Sequence, residues 1–153
     1  MNTSSDWNAD VNEVVQNLSR LIQAETVNPP GNELPAILLV RDILVGAGIP
    51  QEMYAIVESA PNRINLVARL RGDGSERPLL LSGHVDVVPV EREHWSHDPF
   101  GGEVIDGVIW GRGALDMKGF LGMYLQIFLM LFRQKTPLKR DVILAAIADE
   151  EAG

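Results

Sequence analysis

The chain has 153 residues, a formal net charge of -8, 46% hydrophobic and 22% charged residues, and no cysteine. That length suits one domain, and that composition belongs to a globular protein with a core, not to a disordered chain. The acidic balance excludes nucleic acid as the main partner, because a polyphosphate needs a basic face; the missing cysteines exclude disulfides, thiolate nucleophiles and Cys-based zinc sites.

Met1-Asn2-Thr3-Ser4-Ser5-Asp6 has no basic region and no apolar stretch, so it does not read as a secretory leader. Together with the lack of cysteine, this fits a reducing, cytoplasmic setting. Residues 10–24 place Val11, Val14, Val15, Leu18, Leu21 and Ile22 on one helical face, with Asn8 or Asp10 as the cap. Val27-Asn28-Pro29-Pro30-Gly31-Asn32 is a breaker loop. A second helix is expected from Leu34 to Val45, stopped by Gly46 and Gly48. Residues 52–58 and 63–70 read as strands joined by Ser59-Ala60-Pro61-Asn62, followed by a turn at 71–75. Pro78-Leu79-Leu80-Leu81-Ser82 suits a strand buried on both faces. Residues 103–110 alternate around Asp106-Gly107, a hairpin signal, with Trp95, Phe100 and Trp110 as core anchors.

A helix is expected over 118–133. Its apolar run, residues 120–132, is too short for a bilayer span of roughly 20 residues and reads as buried. Residues 142–148 suit a central strand. Strand, helix and strand between 79 and 148 form a βαβ unit with a parallel pair. The fold class is therefore α/β, a mostly parallel sheet flanked by helices.

The polar residues of interest cluster at strand exits. His84 and Asp86 follow one strand, Glu150 and Glu151 follow the other, and Asp116 precedes the linking helix. Open α/β sheets bind ligands beyond the carboxyl ends of their parallel strands, so all these groups face one sheet edge. Imidazole and carboxylates suit zinc or a similar divalent ion. His84 is a metal ligand by this reading, and Asp86 holds its other ring nitrogen. Asp116 is a candidate to bridge two ions about 3.5–4 Å apart. Of Glu150 and Glu151, one binds metal and the other takes a proton from an activated water. Gly111-Arg112-Gly113 and Gly119 suit a tight loop that aims Asp116. Each feature alone is commonplace: a His-Val-Asp after a strand is usually a polar loop, and a Glu pair is usually solvated surface. Their convergence carries the reading. His94 and His97 lie in a polar loop and read as structural or exposed.

These residues resemble the M20 metallopeptidases, a family of aminoacylases, desuccinylases and carboxypeptidases. The first signature is Ser82-Gly83-His84-Val85-Asp86-Val87-Val88-Pro89, the second Gly111-Arg112-Gly113-Ala114-Leu115-Asp116-Met117-Lys118-Gly119, and the third Asp149-Glu150-Glu151-Ala152-Gly153. Asp98-Pro99-Phe100 matches the approach to the second. The resemblance implies that His84, Asp116 and Glu151 bind metal, with Asp116 bridging, that Glu150 is the general base, and that Asp86 orients His84. It implies two zinc ions per complete site, with cobalt or another divalent ion as a substitute, and a cis peptide at Asp116–Met117.

The function implied is hydrolysis of an amide or peptide bond by a metal-activated water. The substrate is a small carboxylate-bearing peptide or N-acyl amino acid. Neither nucleic acid nor membrane is an expected partner. Family members continue past the third signature, adding a further acidic ligand, a late His and a lid domain often used for homodimerisation. By that comparison residues 1–153 are the N-terminal part of an M20-type catalytic domain, incomplete at its C-terminus, inactive alone and weak in metal binding. The alternative is a non-catalytic truncated relic, or one piece of a split enzyme that needs a partner chain.

Overall fold

Residues 10–152 are described in the computed structural model of the chain. Helix α1, Val11–Gln23, starts at Asp10, whose carboxylate accepts the backbone N–H groups of Asn12 at 2.9 Å and Glu13 at 3.2 Å. This satisfies two of the four donors a helix start leaves orphaned. Asn8, the other expected cap, lies outside the described residues, as do residues 1–6 and Gly153. Helix α2, Leu34–Gly46, has Pro35 in its first turn, where a missing N–H costs nothing.

Strand β1, Tyr54–Ala60, and strand β2, Arg63–Leu70, form a hairpin around Pro61-Asn62. The first strand starts two residues later than expected, because Gln51–Met53 forms a single 3₁₀ turn. Strand β3, Leu79–His84, runs parallel to β6, Val142–Ile147, and helix α3, Lys118–Arg133, connects them. This is the expected βαβ unit. A small hairpin, β4 Val104–Ile105 and β5 Val108–Ile109, turns at Asp106 and Gly107, both with positive φ. That is the geometry a two-residue hairpin loop prefers.

The sheet order is β1-β2-β6-β3, so β6 is central as its apolar run suggests. The expected parallel character holds only for β3–β6; β1–β2 and β2–β6 are antiparallel. A two-residue turn can join only antiparallel strands. The segment after β2 then folds back against the entry to β6. Gly72 donates its N–H to Asp141 at 2.7 Å, Asp73 donates to the Leu138 carbonyl at 2.9 Å, and Arg69 pairs with Asp141. The end of β2 is thereby fixed beside the start of β6, with Leu70 opposite Val142.

Alternate residues of the two inner strands, Leu66, Ala68 and Leu70 with Val142, Leu144 and Ala146, face one core. Leu21 of α1, Val40 and Leu44 of α2, and Leu125 and Phe128 of α3 fill it. The three described helices thus share one sheet face, and Val57, Val67 and Leu80 on the other face are exposed. The strand expected to be buried on both faces is instead an edge strand, with Leu79 at 44% and Leu80 at 58% exposure. Among the described residues it has a neighbouring strand on one side only. Likewise α3 is one-sided, not buried all round: Leu121, Leu125 and Phe128 are covered while Phe120, Met123 and Ile127 are exposed. Of the expected aromatic anchors, Phe100 is buried; Trp95 is half-covered beneath Arg112, and Trp110 is open on one side.

Candidate metal centre

The exits of β3 and β6 lie side by side because His84 registers with Ile147 and the Val85 N–H donates to the Ile147 carbonyl at 2.8 Å. The parallel pairing therefore delivers the residues after both strands to one place. One ring nitrogen of His84 and one carboxylate oxygen each from Glu150 and Glu151 lie within 4.8 Å of one another. Asp116 Oδ1 stands 3.2 Å from His84 Nε2, and Glu150 Oε2 stands 3.7 Å from the same nitrogen. His84 is nearly buried, whereas the Asp116 and Glu150 carboxylates are open to solvent.

The loop that carries Asp116 is tight. Gly113 adopts φ +84, and a Cβ there would sit 2.8 Å from Val87 Cγ1. The Asp116–Met117 peptide is cis. Lys118 starts α3 wholly buried, donating Nζ–H to the Ala24 carbonyl at 2.8 Å. Burial pulls its ammonium down to about 7, against the attraction of Asp86 and Glu25.

On the opposite side of the imidazole, His84 Nδ1 lies 3.0 Å from the Asp86 carbonyl and 3.6 Å from the Asp86 carboxylate. The carbonyl is at hydrogen-bond distance and the carboxylate is not, so the carbonyl sets the ring's orientation. With Nδ1 committed, Nε2 is the nitrogen offered to the cluster. The Asp86 carboxylate pushes the His84 imidazole up to about 9, against burial, with the Asp86 carbonyl and Asp116 adding to the push.

Burial by itself would raise the Asp86 carboxyl. The nearby His84 imidazole, together with bonds from the Asn28 amide and from the N–H groups of Glu151 and Glu150, outweighs it and holds Asp86 well below the usual carboxylate range. Glu151 is pushed up by burial first; His84 opposes this, and Asp116, Glu150 and Asp86 reinforce it as like charges.

Four carboxylates thus surround one imidazole. Such a set leaves an excess of negative charge that a divalent cation offsets, and its nitrogen and oxygen donors suit zinc, cobalt or manganese. The residues present fit a metal ion. His94 and His97 do not join them: His94 pairs with Glu91 on the surface at 2.8 Å, and His97 stacks edge-on against Trp110 at 4.5 Å.

The sequence model of Peptidase family M20/M25/M40 matches residues 80–153, the stretch that holds all five site residues. That segment belongs to the M20 family. Among curated relatives, the chain is 38% identical over 133 residues to a succinyl-diaminopimelate desuccinylase of Cereibacter sphaeroides, covering 86% of this chain and 33% of the relative. The chain spans about a third of the length of the curated relatives it matches. The M20 metallo-carboxypeptidase Sso-CP2 from Sulfolobus solfataricus superposes with a TM-score of 0.76 at 21% identity, over 92% of this chain and 31% of that one. YXEP of Bacillus subtilis, described as a dinuclear metal binding peptidase from the M20 family, superposes with a TM-score of 0.63 at 13% identity, over 92% of this chain and 36% of that one. At such identities the two structures establish a shared fold. Among the described residues, no helix is long and apolar enough to cross a membrane.

Several residues around this site carry no strong sequence signal. Asn28 and Glu33 are buried, and Arg63 reaches both: its Nη2 donates to Asn28 Oδ1 at 3.1 Å and its Nη1 to Glu33 Oε1 at 2.8 Å. Asn28 reads from sequence as part of a proline-rich turn, Glu33 as the residue before a helix, and Arg63 as the start of a strand. Only their meeting in space links them to the acidic turn.

Proposed function

We propose that the chain supplies the N-terminal part of an M20-type catalytic domain, and that the whole protein is a zinc-dependent hydrolase of amide or peptide bonds. The convergence of His84, Glu150 and Glu151 within 4.8 Å at the exits of β3 and β6 is the observation that carries this reading. His84, Asp116 and Glu151 would hold the metal, with Asp116 between two ions. A bound divalent ion supplies Lewis acidity toward water and toward a carbonyl oxygen.

The chain's own residues do the rest. Asp86 keeps His84 Nε2 turned toward the cluster. Glu150, solvent-exposed beside that nitrogen, takes a proton from the attacking water and passes it to the leaving amine. The desuccinylase relatives favour an N-acyl amino acid as substrate, in particular an N-succinyl one; a small peptide with a free carboxylate is the other member of the class. A cytoplasmic location and a homodimer of the whole protein belong to the same proposal.

The test is turnover of N-succinyl amino acids, N-acetyl amino acids and dipeptides by the zinc-loaded or cobalt-loaded whole protein, with Glu150→Gln as control. A loss of about 100-fold or more in kcat is expected for Glu150→Gln. Unchanged turnover in that variant, or none by the wild type with any of these substrates, would remove Glu150 or the hydrolase reading respectively. The split-enzyme reading draws on one feature: among the described residues, the cluster holds a single imidazole. Activity that appears only when a second chain is added would favour it.

A further inference from the structure

The turn that presents Glu150 and Glu151 is also held by groups outside the cluster itself. Asp149 precedes the two glutamates with φ +69, a left-handed conformation that a non-glycine residue adopts only with local support. Its carboxylate supplies that support by accepting from Arg63 Nη2 at 2.9 Å and from Asn28 Nδ2 at 3.0 Å. One residue earlier, the Ala148 N–H donates to Asn65 Oδ1 at 2.9 Å. Strand β2 therefore grips the start of the turn through Arg63 and Asn65.

Asn28 ties this grip to the other wall of the site. Its amide nitrogen donates both to Asp149 and to Asp86 Oδ2, the latter at 2.9 Å, while its oxygen accepts from Arg63. Asp86 in turn accepts the backbone N–H groups of Glu151 at 2.9 Å and Glu150 at 3.2 Å. The backbone of Asn28 is itself pinned, its N–H donating to the Val87 carbonyl at 2.9 Å. The first and third signature segments are thus joined by the buried Asn28 amide, which the Arg63 guanidinium holds in turn, and both residues lie outside the signatures.

We propose that Arg63, Asn28 and Asp149 are positioning residues that set the direction of the Glu150–Glu151 turn toward His84, and so tune the affinity and coordination geometry of the ion. This inference rests on the ion-site reading above. Outer partners of metal ligands commonly affect metal affinity by about 10–100-fold. An amide placed between two carboxylates also cannot be exchanged for a third: Asn28→Asp would set three anions together.

The decisive variant is Asp149→Gly in the full chain. Glycine favours φ +69, so a residue needed only for the turn would be replaced at no cost or with a gain in stability. The positioning role predicts the opposite for the ion. Cobalt(II) affinity by calorimetry should fall about 10-fold or more, and the visible cobalt spectrum should shift, while the metal-free melting temperature stays level or rises. Asp149→Asn keeps an acceptor oxygen and should recover most of the affinity and the wild-type spectrum. Wild-type affinity and spectrum in Asp149→Gly, with binding lost in His84→Ala, would overturn this inference alone. Equal cobalt binding by wild type and His84→Ala would sink the ion-site reading and this inference with it. Should Asn28→Asp prove unfolded, the Asp149 pair still decides the matter.

Discussion

Glu33 is fully buried at the entrance to α2, and Arg63 is the reason a carboxylate is tolerated there. Burial pushes the Glu33 carboxyl above its ordinary value of 4.5, and Arg63 opposes that push. Removing one partner of a buried pair leaves an uncompensated charge, which typically costs about 3–5 kcal/mol. Arg63→Met should therefore lower stability by about that amount in urea denaturation, and a second change, Glu33→Met, should restore much of it. The sign with pH follows from the raised value. A carboxyl that binds its proton more tightly in the native state costs stability above its native pKa and ceases to do so as pH falls below the unfolded value. The Arg63→Met deficit should shrink as pH falls toward the ordinary value of 4.5. A deficit that is flat or grows on acidification would mean that the lost guanidinium matters by packing alone.

Helices α1 and α3 meet through a polar clasp as well as through the core. Glu13 accepts from Arg133 at 2.6 and 2.7 Å and from Gln126 at 2.9 Å. The Arg133 bond is the largest influence on Glu13; burial opposes it, and the net effect holds the carboxyl below its ordinary value of 4.5. This pair contributes fully above that value, and its contribution is lost as pH falls through the lowered native pKa. Because the pair is partly exposed, its worth is only about 0.2–1 kcal/mol. Arg133→Gln should lower the melting temperature slightly above about pH 4.5 and change little at lower pH, so that the acid limb flattens; an unchanged limb would count against the clasp. Gly119 sets a second constraint on α3. Alanine would gain about 1 kcal/mol of helix propensity. Its Cβ, however, would lie 2.2 Å from the Ala114 carbonyl oxygen. Overpacking of that kind costs about 1–3 kcal/mol and moves backbone. Gly119→Ala should therefore lower the melting temperature, and a rise would show that the loop before α3 yields freely.

At the scale of the molecule, the sheet has one face under helices and one face open, with Val57, Val67 and Leu80 exposed on the open side. Among the described residues, strand β3 also presents an unpaired edge. Exposed apolar faces and strand edges favour association. Sedimentation velocity on residues 1–153 should reveal concentration-dependent self-association, reduced by Val67→Lys and Leu80→Lys together. A single monomeric boundary at every concentration would show that the open face is tolerated in water. The Asp149→Gly experiment spans the remaining scale, because it asks whether β2 governs a site built at the ends of β3 and β6.

Much of this arrangement was legible along the chain. Apolar spacing at 3.6 residues marks α1 and α3, the run at 142–148 marks the central strand, and the order strand, helix, strand dictates a parallel pair whose exits meet. Parallel pairing alone sends His84 and the Glu150–Glu151 turn to one edge, so the candidate cluster is a consequence of local pattern plus handed connection. Which face of a strand is covered cannot be read from its own residues. Leu79 and Leu80 are as apolar as core residues, yet they lie at an edge because, among the described residues, no strand pairs with β3 on the side away from β6. The direction of β2 was hidden for the same reason: a two-residue turn and the Asp141 contacts with Arg69 and Gly72 decide it, and they join residues some 70 positions apart. The hub of Asn28, Glu33, Arg63 and Asp149 belongs wholly to the tertiary structure. Hydrogen bonds of this kind follow no sequence period, so only the folded chain brings these groups within reach of one another.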